Sequence, residues 1–133
     1  MSCTRPLALL AALSLAACAP PPEETGRGFF NAVCAACHGA DARGGGPARA
    51  GMGQRAPDLT LLAARNAGTF PRLKVMGIID GYHRRTDPHT HMPVFGDLLA
   101  QGDYVGVDTG DGRMTPTPAQ LVALVDYLES VQR

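Results

Sequence analysis

Two thiols and an imidazole fall within five residues of this chain, in Cys34-Ala35-Ala36-Cys37-His38. On a helical turn the i,i+3 spacing puts both sulfurs on one side. His38 follows at once and offers a ring nitrogen to a metal beside them. This is the attachment pattern of a c-type haem: Cys34 and Cys37 form thioethers with the two vinyl groups, and His38 is the fifth iron ligand. The motif occurs once and no internal repeat is visible, so the chain implies one covalently attached haem c with its iron. A fifth ligand alone leaves iron open to small molecules. A sixth closes it and makes an electron-transfer centre.

Candidates for the sixth ligand are Met52, Met76, Met92, Met114, His83, His89 and His91. Met92 stands out. It lies in His91-Met92-Pro93-Val94-Phe95-Gly96, a non-helical stretch far along the chain from His38, and Pro93 stiffens it. Met76 falls in an apolar helical pattern and reads as core filler. The three histidines could instead give bis-His ligation, or be solvent-exposed loop residues. A His/Met pair is a common cytochrome arrangement. The second ring nitrogen of His38 needs an acceptor to fix its tautomer.

Other chemistries for the two thiols fit less well. A thioredoxin-like redox pair calls for a βαβ setting, and the pattern here is helical. A zinc site needs a further ligand beyond His38, and no second CxxC is present.

The elements that must position these groups are mainly α-helical. The first helix runs from Gly26 to about Cys37, with Phe29, Phe30, Val33 and Cys37 near one face. Asp58 is an N-cap for a short helix through about Asn66. A third runs from Pro71 to Asp80, capped by Thr69 and closed by Gly81. The last opens on Thr117-Pro118-Ala119-Gln120, a capping box, and continues through Leu121, Leu124, Val125 and Leu128. Gly44-Gly45-Gly46-Pro47 reads as a flexible turn. Asp108-Thr109-Gly110-Asp111-Gly112 turns a possible small β-hairpin near 103–115; it lacks the full EF-hand ligand pattern. With 16 Gly, 11 Pro and no Trp, the chain has little side-chain bulk for a core, and a large buried cofactor would fill it.

Residues 1–17 read as a signal peptide. Arg5 is the positive n-region and Leu7 to Ala17 the apolar run. As a helix that run spans about 16 Å, roughly half a bilayer core. Leu15-Ala16-Ala17-Cys18 resembles a bacterial lipobox, which implies lipidation of Cys18 and a tether over residues 18–25; the plainer reading is an ordinary secretory signal with an incidental cysteine. The fold then occupies residues 26–133, in the periplasm, held to the outer or inner membrane by lipid. Without Arg5 the chain carries one acidic charge in excess, and nothing suggests nucleic acid. Basic residues gather over 43–74 and acidic ones over 97–111, a polarity that could orient a redox partner or simply form a solvated face.

Over roughly residues 26–132 the chain resembles the class I c-type cytochromes, through the Cys-Ala-Ala-Cys-His-Gly motif and the Met-Pro-x-Phe-Gly pattern at Met92. That resemblance implies a cytochrome c fold with its first and last helices crossing around the haem. Arg55-Ala56-Pro57-Asp58-Leu59 looks like the family's Pro-x-Leu segment. It implies that Pro57 offers its carbonyl to the His38 ring N–H and that Leu59 packs on the haem. Gly26 and Phe30 match the first-helix contact positions, with Leu124 and Tyr127 as partners. The loops between His38 and Pro57 and between Leu98 and Pro116 are longer than in compact members. The implied function is electron transfer, without substrate turnover, to redox partner proteins of a respiratory or periplasmic chain. The alternatives are a haem subunit of a larger oxidoreductase and a ligand-binding sensor with an open or displaceable sixth position.

Overall fold

The computed structural model describes residues 21–48, 55–83 and 92–133. The leader, Cys18, Met52, His89 and His91 lie outside the described residues. Within them no helix is long and apolar enough to cross a membrane.

Pro22 sits at the first helical position of α1 (Pro22–Phe29), with Glu23 and Glu24 in its positive first turn. The helix therefore starts four residues before Gly26, within the stretch read as a tether. It continues into a π-helical turn, Phe30–Cys34, where the Ala35 N–H reaches back to the Phe30 carbonyl, and then into α2 (Ala35–His38). The extra residue in that turn rotates everything after it by about 100°. Gly26 and Phe30 can thus face one partner while Cys34, Cys37 and His38 face another.

That first partner is α5 (Ala119–Ser130), which buries Leu121, Leu124, Val125 and Leu128, the expected apolar face. A Cβ on Gly26 would fall on the Ala123 carbonyl, so only glycine allows this approach. One turn on, fully buried Phe30 packs its ring against Tyr127 at 5.3 Å between centroids, tilted by 49°. Phe30 thus meets Tyr127, one of the partners the resemblance implied, while Gly26 meets the backbone of Ala123 and Leu124.

The capping box before α5 does not form. Thr117 belongs to β2 (Met114–Pro118), opposite Val105 of β1 (Tyr104–Asp108), and its hydroxyl donates to the Thr115 carbonyl at 3.0 Å. Strand pairing holds Thr117 extended, and the Asp103 carbonyl accepts from the Ala119 N–H instead. The hairpin itself is present. Asp108 closes its turn by accepting from the Gly110 and Gly112 N–H groups.

α3 (Arg72–Asp80) buries Val75, Met76 and Ile79 and ends on left-handed Gly81. Its cap differs from expectation: no side chain caps it, and Pro71 occupies the N-cap position. Arg72 ties α3 to α5 through Asp126 and Glu129. A short α4 (Gly96–Leu99) follows the Met92 loop, which is pinned to α3 by the Phe95 N–H on the Ile79 carbonyl at 3.0 Å.

Asp58 caps its segment as expected, accepting from the Thr60 N–H. The segment is not one helix but two 3₁₀ turns, Leu59–Leu61 and Ala64–Asn66. The cause is Gln132. Its amide donates to the Leu59 carbonyl at 2.8 Å and accepts from the Ala63 N–H at 2.9 Å. Those two groups would bond each other in an α-helix, so the side chain stands in the i→i−4 ladder.

Candidate haem site

A cavity of about 370 Å³ opens between the motif helix, α3, α5 and the loops at Pro57 and Met92. This is within the usual span of ligand sites, about 300–1,000 Å³. Phe30, Val33, Cys34, Cys37 and His38 form one side. Pro57, Leu59 and Leu62 come from the 3₁₀ segment, Val75, Ile78 and Ile79 from α3, and Leu124 and Leu128 from α5. Met92, Pro93 and Phe95 complete the wall, with Arg55 as its one cationic side chain among the described residues.

His38 is 8% exposed, and its Nδ1 lies 3.3 Å from the Pro57 carbonyl oxygen. A carbonyl can only accept, so Nδ1 carries the hydrogen, which leaves Nε2 with the free lone pair that a metal requires. Burial pushes the imidazole below its ordinary pKa, and the Pro57 hydrogen bond pulls partly back. The ring is neutral at physiological pH. The loop after the motif folds back to hold it. Gly44 N–H donates to the His38 carbonyl at 2.6 Å and Gly46 N–H to the Cys37 carbonyl at 3.1 Å. The glycine-rich stretch expected as a flexible turn is thus hydrogen-bonded to the motif. A Cβ on Gly46 would collide with the Ala36 carbonyl.

Burial pushes the Cys34 thiol up to about 11, and the neighbouring Cys37 adds to the rise. Among the described residues no group of three or more His, Cys, Asp or Glu could hold a metal ion. Two sulfurs, one neutral imidazole and a wall that is apolar apart from Arg55 fit a flat apolar macrocycle that brings its own metal.

Of the expected sixth-ligand candidates that are described, only Met92 lines the cavity with His38. Met76 is buried in the core. Met114 is 69% exposed on β2. The ring of His83 lies against Gly77 of α3 and edge-on to Tyr82, away from the cavity. Leu59 and Pro57 both line the cavity. Gln132 and Arg133 escaped sequence reading because their partners lie some seventy residues away, and no local pattern marks such a pairing.

Asp58 anchors this wall. The Thr60 hydroxyl, donating to its carboxylate at 2.6 Å, is the first cause holding it below the ordinary 3.8; the Thr60 N–H and the Arg133 guanidinium act in the same sense. The unfolded chain therefore takes up this proton more readily. The stability contributed by the carboxylate is fully present above about pH 4 and is lost as pH falls through the lower, folded value. Asp58→Asn is expected to lower the melting temperature at neutral pH, with the gap to wild type closing as pH falls below 3.8. Paired melts from about pH 6 to about pH 2.5 check this, and a constant gap would contradict it.

Residues 23–132 match the family model described as Cytochrome c. Neither a curated protein nor a solved structure matches the chain. The match covers the motif, the cavity and the crossing helices together, and the family's cofactor is a covalently attached haem c with iron. The chain belongs to the cytochrome c family.

Proposed function

We propose that this chain is a membrane-tethered electron carrier with one haem c, held by Cys34 and Cys37 and ligated by His38 and Met92. The observation that carries the reading is a shared wall: Met92 and a neutral, Pro57-bonded His38 line one apolar cavity beside both cysteines. The haem supplies a one-electron ferric/ferrous couple. The two cysteines fix its place, and His38 presents Nε2 while Pro57 holds Nδ1–H. The Met92 thioether is a soft donor that favours the ferrous form and raises the potential. The apolar wall keeps water from the centre, so little reorganises when charge changes. Electrons pass to and from redox proteins of a respiratory or periplasmic chain.

The location rests on the sequence. Leu7 to Ala17 followed by Cys18 supports export and lipidation, and two or more acyl chains hold a protein stably on a bilayer. Covalent haem attachment in an exported protein agrees with that route.

The full-length protein, expressed in a haem-attaching bacterium, tests both halves. After denaturation in acid acetone the haem is expected to stay with the polypeptide. The ferrous protein is expected not to bind carbon monoxide at neutral pH. Cys18→Ser is expected to move the protein from the membrane to the soluble periplasmic fraction. Extractable haem would sink the covalent reading, and unchanged membrane retention of the serine variant would sink the lipid tether.

A further inference from the structure

Gln132 stands between two backbone groups that would otherwise bond each other, Leu59 C=O and Ala63 N–H. Its second donor contact goes to the Leu128 carbonyl, at 2.6 Å, which fixes the amide on the end of α5. Both amide protons and the oxygen are thus engaged, which also settles the amide's orientation. Arg133 adds three bonds to the same segment: its N–H to the Thr60 carbonyl at 3.1 Å, its Nε to the Thr60 hydroxyl at 2.8 Å, and Nη2 to Asp58 at 3.0 Å. The segment so held begins immediately after Pro57.

Pro57 is the residue that His38 addresses, and the bond between them is 3.3 Å long. N–H···O bonds in proteins run from about 2.7 to 3.2 Å, so this one lies at the long end of the range. A contact already at that limit responds to a shift of a few tenths of an ångström. Without Gln132, Leu59 C=O and Ala63 N–H are left to bond each other, tightening the segment into an α-turn and dragging the preceding carbonyl with it.

We propose that Gln132 is a positioning residue for the His38 imidazole: by keeping the 58–63 segment from closing into an α-turn, it sets the Pro57 carbonyl against Nδ1–H and so sets the basicity of the ring toward iron. This rests on His38 being the iron ligand. A hydrogen bond from the distal ring nitrogen raises ligand basicity, which favours the ferric state. Lengthening it therefore raises the potential. Arg133 reinforces the same geometry from the Thr60 side.

The test compares wild type, Gln132→Ala, Gln132→Met and Arg72→Ala as haem-loaded full chains. Gln132→Met keeps the length of the side chain and loses the acceptor for Ala63 and both donors, and it serves if the alanine variant does not fold. Arg72→Ala loosens α3 from α5 without touching the 58–63 segment. Two quantities are read: the reduction potential, and the resonance of the His38 ring Nδ1–H in nitrogen-labelled ferrous protein. Both Gln132 variants are expected to shift the ferric/ferrous equilibrium about threefold toward ferrous, roughly 30 mV at about 59 mV per decade for one electron. They are also expected to move the Nδ1–H resonance upfield and speed its exchange. Arg72→Ala is expected to lower the melting temperature and leave both quantities in place. Gln132 variants that melt early with unchanged potential and resonance would reduce the residue to a structural clamp and overturn the proposal. If the wild-type ferric protein shows no iron-shifted His38 ring signals, His38 ligation itself is wrong, and that result is distinct from the first.

Discussion

Met92→Ala is expected to turn a closed centre into an open one. Met92 is the only described candidate that shares the cavity wall with His38, and its loop is pinned to α3 through Phe95 and Ile79. Alanine leaves that anchor intact and removes only the thioether, so the fold should survive. Two effects follow. The ferrous variant binds carbon monoxide within mixing time at neutral pH, where wild type does not. The potential falls, because the soft donor that favoured ferrous iron is gone. A shift of about a hundredfold toward ferric, roughly 120 mV at about 59 mV per decade, is the expected scale. Stopped-flow carbon monoxide binding and a redox titration measure both. A variant as closed as wild type would exclude Met92 and turn attention to Met52, His89 and His91. A wild type that binds carbon monoxide as fast as the variant would favour the sensor reading instead.

Phe30→Ala is the substitution expected to cost most in stability. Phe30 is fully buried, packs against the Tyr127 ring and also lines the cavity, so it joins the helix crossing to the haem site. Truncating a buried phenylalanine costs about 3–5 kcal/mol, a large share of the roughly 5–15 kcal/mol that holds a domain together. Thermal melts of the haem-loaded protein should drop by about 10–20 °C. Phe30→Leu, which keeps most of the volume, should lose less than half as much. An alanine variant melting within about 3 °C of wild type would mean that the crossing of α1 with α5 contributes little once haem is in place.

What could be read along the chain was what is local. The spacing of Cys34, Cys37 and His38 places their side chains within one turn whatever the rest of the chain does. The apolar period of residues 121–128 marks the buried face of α5, because a 3.6-residue repeat can satisfy only one face. Asp108 and the glycines after it close the hairpin turn by bonds two and four residues long. The pairing of Pro57 with His38 came from family resemblance, since nineteen residues separate them and no periodicity links them.

Other expectations failed where a distant partner competed with a local one. Thr117 has the sequence of a helix cap but lies in a strand, because pairing with Val105 holds its backbone extended. Residues 59–66 have the sequence of a helix but break into two turns, because the Gln132 amide takes the bond that the helix needs. The π-helical turn at Phe30–Cys34 lets one continuous helix serve both α5 and the cavity. By itself, then, the sequence determined the cofactor, the motif that holds it and the principal helices, since covalent spacing and side-chain periodicity act over a few residues. Only the tertiary structure decided which of the described candidates lines one cavity with His38 and what braces the segment that follows Pro57. Those outcomes depend on bonds between segments some twenty to seventy residues apart, and whichever partner best satisfies a buried polar group wins.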